Sequence, residues 1–562
     1  MKNFEIFIPC RIGSSRLPYK HFRTIGGVTL IERLISRLTE ITGAHINIIC
    51  PENKENDVYL ELEKIDHVSV LRGHETDVLD RFMTAIKARR NHAEYAVRIN
   101  GDCVVPSEEV FAQLNALMGD KAHDIYSTVG SNVTSGQHVE AVRISWLLEQ
   151  TKVLENATLD EREHIFPLLY KVCDTVCQLR AEAAPPVKLS VDTFKDLERI
   201  RSILADKSTP NAAEIVSASA KFDAENPFIG EHGAYLIAEI GGNHEGDFEY
   251  AKKLVRDACA TDVDAVKLQI YSPDLLINSK LDPDRWEHFK RFALSLEQYN
   301  ELFQIIREAG KQTCASVWSL EELDLHKDSI DILKVGSGDL NAAPMLRALA
   351  KLNKPLVIST GLATMDEVEK ATEIILATGL NPNSLAVLQC TSMYPIPDVE
   401  ANLSVMSEYE RHLNCLIGYS DHTVGYETLL DSVSAGAKIL EFHFSDDTSN
   451  ANFRDHLVSL DQRDTAKLVE GMRRRIMRLG SAKKHLTLLE RSRNHQVSFH
   501  KGVFLRRDIA AGDTITEADM ITLRPLVGID AVHFYDLVGK VAIDDISALD
   551  ALTWDMFTES EV

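Results

Sequence analysis

"LIGYSDHTVGYETLLDSVSAGAKILEFHFS", Leu416 to Ser445, is the stretch whose reading decides the fold. Its two ends, "LIGYSDH" and "ILEFHFS", are short apolar runs that finish in polar side chains. Strands of a parallel sheet are covered on both faces, so they read as continuous apolar runs rather than as alternating ones. Six more runs of this kind precede the pair: "AYLIAEIG", "AVKLQIY", "QTCASVW", "ILKVGSG", "PLVISTG" and "LAVLQCT". Helical patterns such as "FEYAKKLVRDACA" and "TMDEVEKATEIILATG" separate most of them. Eight β-α units over about 250 residues is the count of a TIM barrel.

In that architecture chemistry sits at the carboxyl ends of the strands. Glu239, Lys267, Gln269, Ser316, Lys334, Ser337, Ser359, Gln389, Ser420, His422, Glu441 and His443 all fall within the last few residues of the eight runs. A ring of cations and hydroxyls converging from eight strands suits a phosphate and a carboxylate bound side by side. His422 and His443 close the last two strands, which neighbour each other at about 4.8 Å, so they are placed to share one cation. Two imidazoles without cysteine, among carboxylates and water, suit Mn²⁺ or a similar octahedral ion better than structural zinc.

The first third has a different rhythm. "FEIFIP", "HINIIC", "HVSVLR" and "YAVRIN" alternate with amphipathic stretches, and in "TLIERLISRL" Leu30, Ile31, Leu34, Ile35 and Leu38 share one helical face. This predicts a doubly wound α/β sheet, with ligands bound beyond the carboxyl ends of its strands. Two features occupy those ends. In "IPCRIGSSRLPYKHF", Arg11, Arg16 and Lys20 surround small residues whose backbone N–H groups can approach an anion. In "RINGDC", Asp102 directly follows a buried strand, where a carboxylate is costly unless it binds a cation or faces a cleft.

Composition narrows the partners. The 562 residues carry a net charge of −24, which argues against nucleic acid or an anionic membrane as ligand. The basic run at 473–478 reads as a solvated helix face. Nine cysteines, with no C-x-x-C pair, read as small buried thiols of a reducing compartment. With no signal-peptide pattern and no apolar run of membrane-spanning length, a cytoplasmic location is expected. A breaker-rich stretch at 206–232, without sustained period, divides a first domain (1–205) from the barrel (233–485); a small domain follows (496–562).

Several ordered motifs carry resemblances to known families. "IPCRIGSSRLP-K", "RGHETDVLDRF", "VRINGDC", "REHIFPLLY" and "SVDTFKDLERI" resemble cytidylyltransferases of the spore-coat-polysaccharide and KDO-activating kind. The resemblance implies CTP on the loop of Arg11, Ser14, Ser15, Arg16 and Lys20, with Asp102 and Asp192 holding Mg²⁺ and Asp77 and Arg81 near the nucleotide. The departure is Tyr19, where the family has glycine. Tyrosine adopts a positive φ only with strain, so a reshaped turn or a weakened site is expected.

"IAEIGGNHEGD", "VKLQIY", "LKVGSGDL", "QCTSMYPIP", "IGYSDHTVG" and "EFHFSDD" resemble the sialic acid synthase family, which condenses phosphoenolpyruvate with an N-acyl-mannosamine-like sugar. "KGVFLRRDIAAGDTITEADMITLRP" is similar to that family's antifreeze-like SAF domain. The resemblance implies Mn²⁺ or Mg²⁺ on His422 and His443, and phosphoenolpyruvate on Lys267, Lys334, Ser337, Ser359 and Ser420. Glu239, Gln269, Tyr394 and Asp455 would line the site, with Glu239, Lys267, Lys334 and Asp455 the catalytic set. Arg524 would reach the sugar from the partner of a domain-swapped homodimer. The family's Pro-Phe appears here as Val317-Trp318, and the loop from Ser272 to Ser295 is shorter, which leaves the acceptor open. The expectation is thus a bifunctional enzyme of sugar-acid synthesis and CMP activation. Its rivals are a synthase with a degenerate, regulatory nucleotide-binding domain and a non-catalytic sugar-binding scaffold.

Overall fold

A computed structural model describes residues 3–14, 16–89, 93–120, 122–181, 186–205, 209–450, 453–480, 484 and 486–558; Ser15 of the proposed phosphate loop lies outside them. The N-terminal sheet comprises β1 (Phe4–Pro9), β2 (Ile46–Pro51), β3 (Val68–Gly73), β4 (Tyr95–Arg98), β5 (Ile125–Ser127), β6 (Glu140–Arg143) and β7 (Val176–Gln178). Their order is β3-β2-β1-β4-β6-β5-β7. Pairing is parallel except at β6, which runs antiparallel to β4 and β5. Helix α1 (Leu30–Thr42) starts at a Thr29/Glu32 capping box and stops at Gly43, whose φ of 57° suits glycine. It buries the face read from the sequence. Helix α2 (Val78–Ala88) covers the opposite face through Leu79, Phe82 and Ile86, so the sheet is doubly wound.

The stretch 206–232 is not without regular structure. After α3 (Phe194–Ile203), α4 (Ala212–Glu225) begins at an Asn211/Glu214 capping box and packs back on the N-terminal unit. Its buried Ile215 joins the cluster of Leu17, Leu30, Leu197 and Ile200. Small residues such as Ala212, Ala213, Ser217 and Ala218 hide the period, and the buried face is only Ile215, Ser219 and Phe222.

The eight runs form β8 (Tyr235–Glu239), β9 (Ala265–Ile270), β10 (Gln312–Val317), β11 (Ile332–Val335), β12 (Leu356–Ser359), β13 (Leu385–Gln389), β14 (Leu416–Asp421) and β15 (Ile439–Phe444). Each pairs in parallel with the next, and β15 pairs with β8, closing the barrel. Tyr235, Ile237, Cys314, Ile332, Val357, Leu388 and Ile439 form one buried cluster with Phe228, an apolar filling for the barrel. Helix α5 (Pro283–Phe292) lies in the loop after β9, and α6 (Gln462–Leu479) packs along the helix Glu427–Ser434. The C-terminal domain is built on an antiparallel pair, Gly502–Leu505 with Met520–Leu523, over a core that includes Val503, Leu505, Ile515, Leu537 and Leu552.

Among the described residues no helix is long and apolar enough to cross a membrane. All nine cysteines are free; six are buried and three half-buried. Ile215→Ala should lower the stability of the N-terminal unit by about 2–5 kcal/mol, read by chemical denaturation. An unchanged midpoint would mean that α4 is not part of that unit.

Candidate active sites

Strand register assembles the barrel site. Glu239 of β8 lies beside Lys267 of β9 and His443 of β15, Ser316 lies beside Lys334, and Ser420 beside Glu441. These residues form a polar layer at the carboxyl ends of the strands. Lys267 binds Glu239 directly, and Gln269 Nε2 donates to Glu239 Oε1 at 2.8 Å. Lys334 Nζ donates to Ser359 Oγ at 2.8 Å and to the Val335 carbonyl at 3.1 Å. Glu441 Oε1 accepts from Ser420 Oγ at 3.0 Å and lies 3.5 Å from Lys334 Nζ, while its Oε2 is 3.7 Å from Lys267 Nζ.

None of the four charged side chains is more than 8% exposed, so their charges depend on one another. Burial opposes the Lys267 cation, but Glu239 and Glu441 hold its pKa above the ordinary value. Lys334 is pushed down by burial, and Glu239 is pushed up by it. Burial also works to raise Glu441, but Lys267 and Lys334 outweigh it and hold the carboxyl below its usual range. Buried ions of this kind are tolerated only as hydrogen-bonded pairs.

The same cavity, of about 980 Å³, holds His422, His443, Tyr394, Asp455, Ser337, Ser359 and Ser420. The two imidazole centroids are 5.4 Å apart, and the Tyr394 ring lies tilted by 35° at 4.0 Å from that of His422. His422 Nδ1 meets the Thr391 carbonyl at 2.8 Å, which makes it the protonated nitrogen and leaves Nε2 with a free lone pair. Burial lowers the His422 pKa to about 4 and drives His443 down as well, so both rings are neutral. His443 Nδ1 is buried without a hydrogen-bond partner, 3.7 Å from Asp455 Oδ2. Burial raises the Asp455 carboxyl to about 6. A neutral imidazole pair with an orphaned ring nitrogen fits a divalent cation. Among the described residues no group of three or more His, Cys, Asp or Glu side chains closes on one metal point, so substrate and water would complete the sphere.

Two expected residues lie elsewhere. Gln389 donates to the Ala401 carbonyl at 3.2 Å and accepts from Tyr409 at 3.4 Å, beneath the next loop. Arg524 Nε donates to the Phe499 carbonyl at 2.7 Å in its own small domain and does not line this chain's cavity.

In the N-terminal domain Lys20 Nζ joins two carboxylates, 2.5 Å from Asp102 Oδ2 and 3.4 Å from Asp192 Oδ1. Arg16 and Lys188 also reach Asp192, at 3.2 and 3.1 Å. Partial burial works to raise the Asp192 carboxyl, but Lys20, Lys188 and Arg16 prevail and keep it below the ordinary range. Two carboxylates that share one ammonium are the pair in this domain that could hold a metal ion. Gly101 makes this possible: a Cβ there would lie 2.6 Å from His21 Nε2 and 3.0 Å from Cys10 Sγ. His21 is itself buried, 2.6 Å from the Tyr59 hydroxyl.

Arg11 lies 3.9 Å from Glu163, and the Ser14 hydroxyl accepts from the Leu17 N–H at 3.4 Å. Asp77 and Arg81 do not pair with each other. Asp77 caps α2 and binds Arg162, while Arg81 donates to the His74 and Glu75 carbonyls. Tyr19 holds φ 54° and ψ 31°, the left-handed region that glycine enters freely and tyrosine only at about 1–2 kcal/mol of strain.

Residues 254–484 match the model of the NeuB family, residues 6–221 that of cytidylyltransferases and residues 500–558 that of the SAF domain. The chain is 30% identical over 320 residues to N,N'-diacetyllegionaminic acid synthase of Campylobacter jejuni, covering 55% of this chain and 95% of that protein. The chain belongs to the NeuB family. It is also 34% identical over 340 residues to N-acetylneuraminate-9-phosphate synthase of Mus musculus, covering 58% and 92% of the two chains. A solved structure described as spore coat polysaccharide biosynthesis protein E of Chromobacterium violaceum shares the fold. Its TM-score is 0.50 at 24% identity, over 58% of this chain and 99% of that one.

This NeuB-family chain has features to which its sequence assigned no role. Glu441 stood among the strand-end residues, but only the register shows it lying between both lysines and Ser420. Arg454 lies over the Tyr394 ring at 4.5 Å, and Tyr271, Trp318 and Phe289 form an aromatic wall, with Tyr271 and Trp318 stacked at 5.0 Å. No period or spacing signals such contacts.

Lys267→Met leaves Glu239 buried without its partner. It should destabilise the barrel by about 3–5 kcal/mol in urea titration, with much of the loss recovered by adding Glu239→Gln. Equal stability of wild type and single variant would contradict the pairing.

Proposed function

We propose that the barrel of this NeuB-family enzyme condenses phosphoenolpyruvate with an N-acyl-mannosamine-like sugar to give a 3-deoxy-2-keto sugar acid, and that the N-terminal domain activates such an acid with CTP. A sialic-type synthase joined to a cytidylyltransferase domain fits nonulosonic acid biosynthesis. The observation that carries the reading is one cavity holding two buried lysines and the hydroxyls of Ser337, Ser359 and Ser420 together with a neutral histidine pair. The first set suits the phosphate and carboxylate of phosphoenolpyruvate; the second suits a metal.

Lys267, Lys334, Ser337, Ser359 and Ser420 fix the phosphoenolpyruvate anion. His422 and His443 would hold a divalent ion, Mn²⁺ or Mg²⁺, which would supply Lewis acidity toward the aldehyde oxygen of the open-chain sugar. C3 of phosphoenolpyruvate attacks the aldehyde carbon, positive charge develops at C2, water adds there and phosphate leaves by C–O cleavage. Glu239 stabilises that charge, and Asp455, with a carboxyl near 6, takes the proton of the water. Gln269 and Tyr394 shape the acceptor end.

The product has the anomeric hydroxyl that cytidylyl transfer requires. In the N-terminal domain Arg11, Ser14, Ser15, Arg16 and Lys20 hold the triphosphate, Asp102 and Asp192 would hold Mg²⁺ to neutralise its charge, and Asp77 and Arg81 shape the nucleotide site. The hydroxyl then attacks the α-phosphorus in line, and pyrophosphate leaves. The turn at Tyr19 still brings Lys20 within 2.5 Å of Asp102, which supports an active domain over a degenerate one. These soluble substrates fit a cytoplasmic enzyme.

A swapped homodimer completes the acceptor site. Leu362, Met393 and Val424, on loops around the barrel mouth, are 81%, 65% and 71% exposed, and Arg524 is held away from its own chain's cavity. A partner's small domain would cover the first and deliver Arg524.

With phosphoenolpyruvate, N-acetylmannosamine, CTP and both metals, His422→Ala should abolish phosphate release. Asp102→Ala should abolish only pyrophosphate release when the sugar acid is supplied. EDTA should stop both, with Mn²⁺ restoring phosphate release. Pyrophosphate formation surviving Asp102→Ala would contradict the metal assignment. Mixing Arg524→Ala with His422→Ala subunits under exchange conditions should give more phosphate release than either alone; no gain would contradict the swap.

A further inference from the structure

The turn at Tyr19 lies against a segment from the far end of the chain. Helix α7 (Leu488–Ser492) belongs to the connector that leads from α6 to the SAF domain. Its Leu488 packs on the N-terminal core, Arg491 Nη2 donates to both carboxylate oxygens of Glu32 at 3.1 and 3.2 Å, and Arg493 lies 3.8 Å from Glu61. Glu32 is the residue that closes the capping box of α1. The connector is therefore anchored beside the start of α1, at the base of the phosphate loop.

Between connector and loop is a mostly apolar cavity of about 250 Å³, walled by Leu486, Leu488 and Leu489 on one side and by Tyr19, Phe22 and Val58 on the other. Tyr19 thus faces two ways. Its side chain, 42% exposed, borders the cleft, while its carbonyl accepts from Phe22 N–H at 2.9 Å and starts the turn that carries Lys20 to Asp102. Glycine would take φ 54° freely but would offer the cleft nothing. A strained residue persists where its surroundings over-determine it, and the docked connector is such a surrounding.

We propose that Tyr19 is a positioning residue for cytidylyl transfer: the connector 486–493 holds its ring, and the ring holds the left-handed turn that aims Lys20 at the triphosphate. The tyrosine is then an adaptation to the fusion, because only a chain that continues into the barrel and SAF domain has a connector to dock there. The proposal rests on the CTP reading above.

The test uses full-length Tyr19→Gly, Tyr19→Phe and Leu488→Asp, with phosphate release by the barrel as the control for folding. Pyrophosphate release from CTP and N-acetylneuraminic acid gives KM for each substrate, and calorimetry gives CTP affinity without turnover. KM and Kd for CTP should rise about tenfold in Tyr19→Gly and in Leu488→Asp and stay near wild type in Tyr19→Phe, with KM for the sugar acid unchanged throughout. Unchanged or tighter CTP binding in either Tyr19→Gly or Leu488→Asp overturns the proposal. A wild type that binds CTP without turnover would fail the activation reading alone, with Kd still testing Tyr19; one that does not bind CTP would fail both.

Discussion

Two lysines and two glutamates share one desolvated layer at the mouth of the barrel, and neither sign could be buried there without the other. Closure of the sheet is what brings them together, since Lys267 and Lys334 stand on strands two apart and Glu441 arrives only because β15 returns to β8. The apolar filling of Tyr235, Ile237, Val357 and Ile439 excludes water from the barrel interior, so charge at the mouth is answered by neighbouring side chains rather than by solvent. The proposed phosphoenolpyruvate would enter a site whose cations are already aimed, and Glu441 is the group whose contacts with Lys334, Lys267 and Ser420 would adjust to admit it.

The N-terminal domain solves a related problem with less burial. Asp102 and Asp192 are held together by Lys20, which pairs with both carboxylates. That arrangement depends on two backbone features: Gly101, which lets the end of β4 settle on His21, and the left-handed Tyr19, which starts the turn carrying Lys20. The connector from the barrel meets this turn at the cleft lined by Tyr19 and Leu488, so the two halves of the chain touch where phosphate chemistry is expected.

Much of this was legible in the sequence because parallel strands leave a strong trace. The eight apolar runs mark β8 to β15, and their polar ends name Lys267, Lys334, Ser420, His422 and His443. Other features were hidden for physical reasons. Helix α4 is rich in alanine and serine, which blur the helical period. Gln389 has the strand-end position of a site residue but hydrogen-bonds to Ala401 and Tyr409, a choice of rotamer that spacing cannot encode. Glu441 and Lys188 have their roles through pairing across the sheet and along one loop. The φ of Tyr19, 54°, belongs to a region that propensity assigns to glycine, so no local rule anticipates it at a tyrosine.

The central claim is that one chain carries two consecutive active sites, and its most direct test is a ³¹P NMR time course. The wild-type protein, phosphoenolpyruvate, N-acetylmannosamine, CTP and the two metals are followed in one tube. Phosphate should appear first, then pyrophosphate in matching amount together with a CMP-sugar phosphodiester resonance. Phosphate accumulating while CTP stays intact would contradict the claim, leaving a synthase fused to a domain that does not transfer cytidylyl groups.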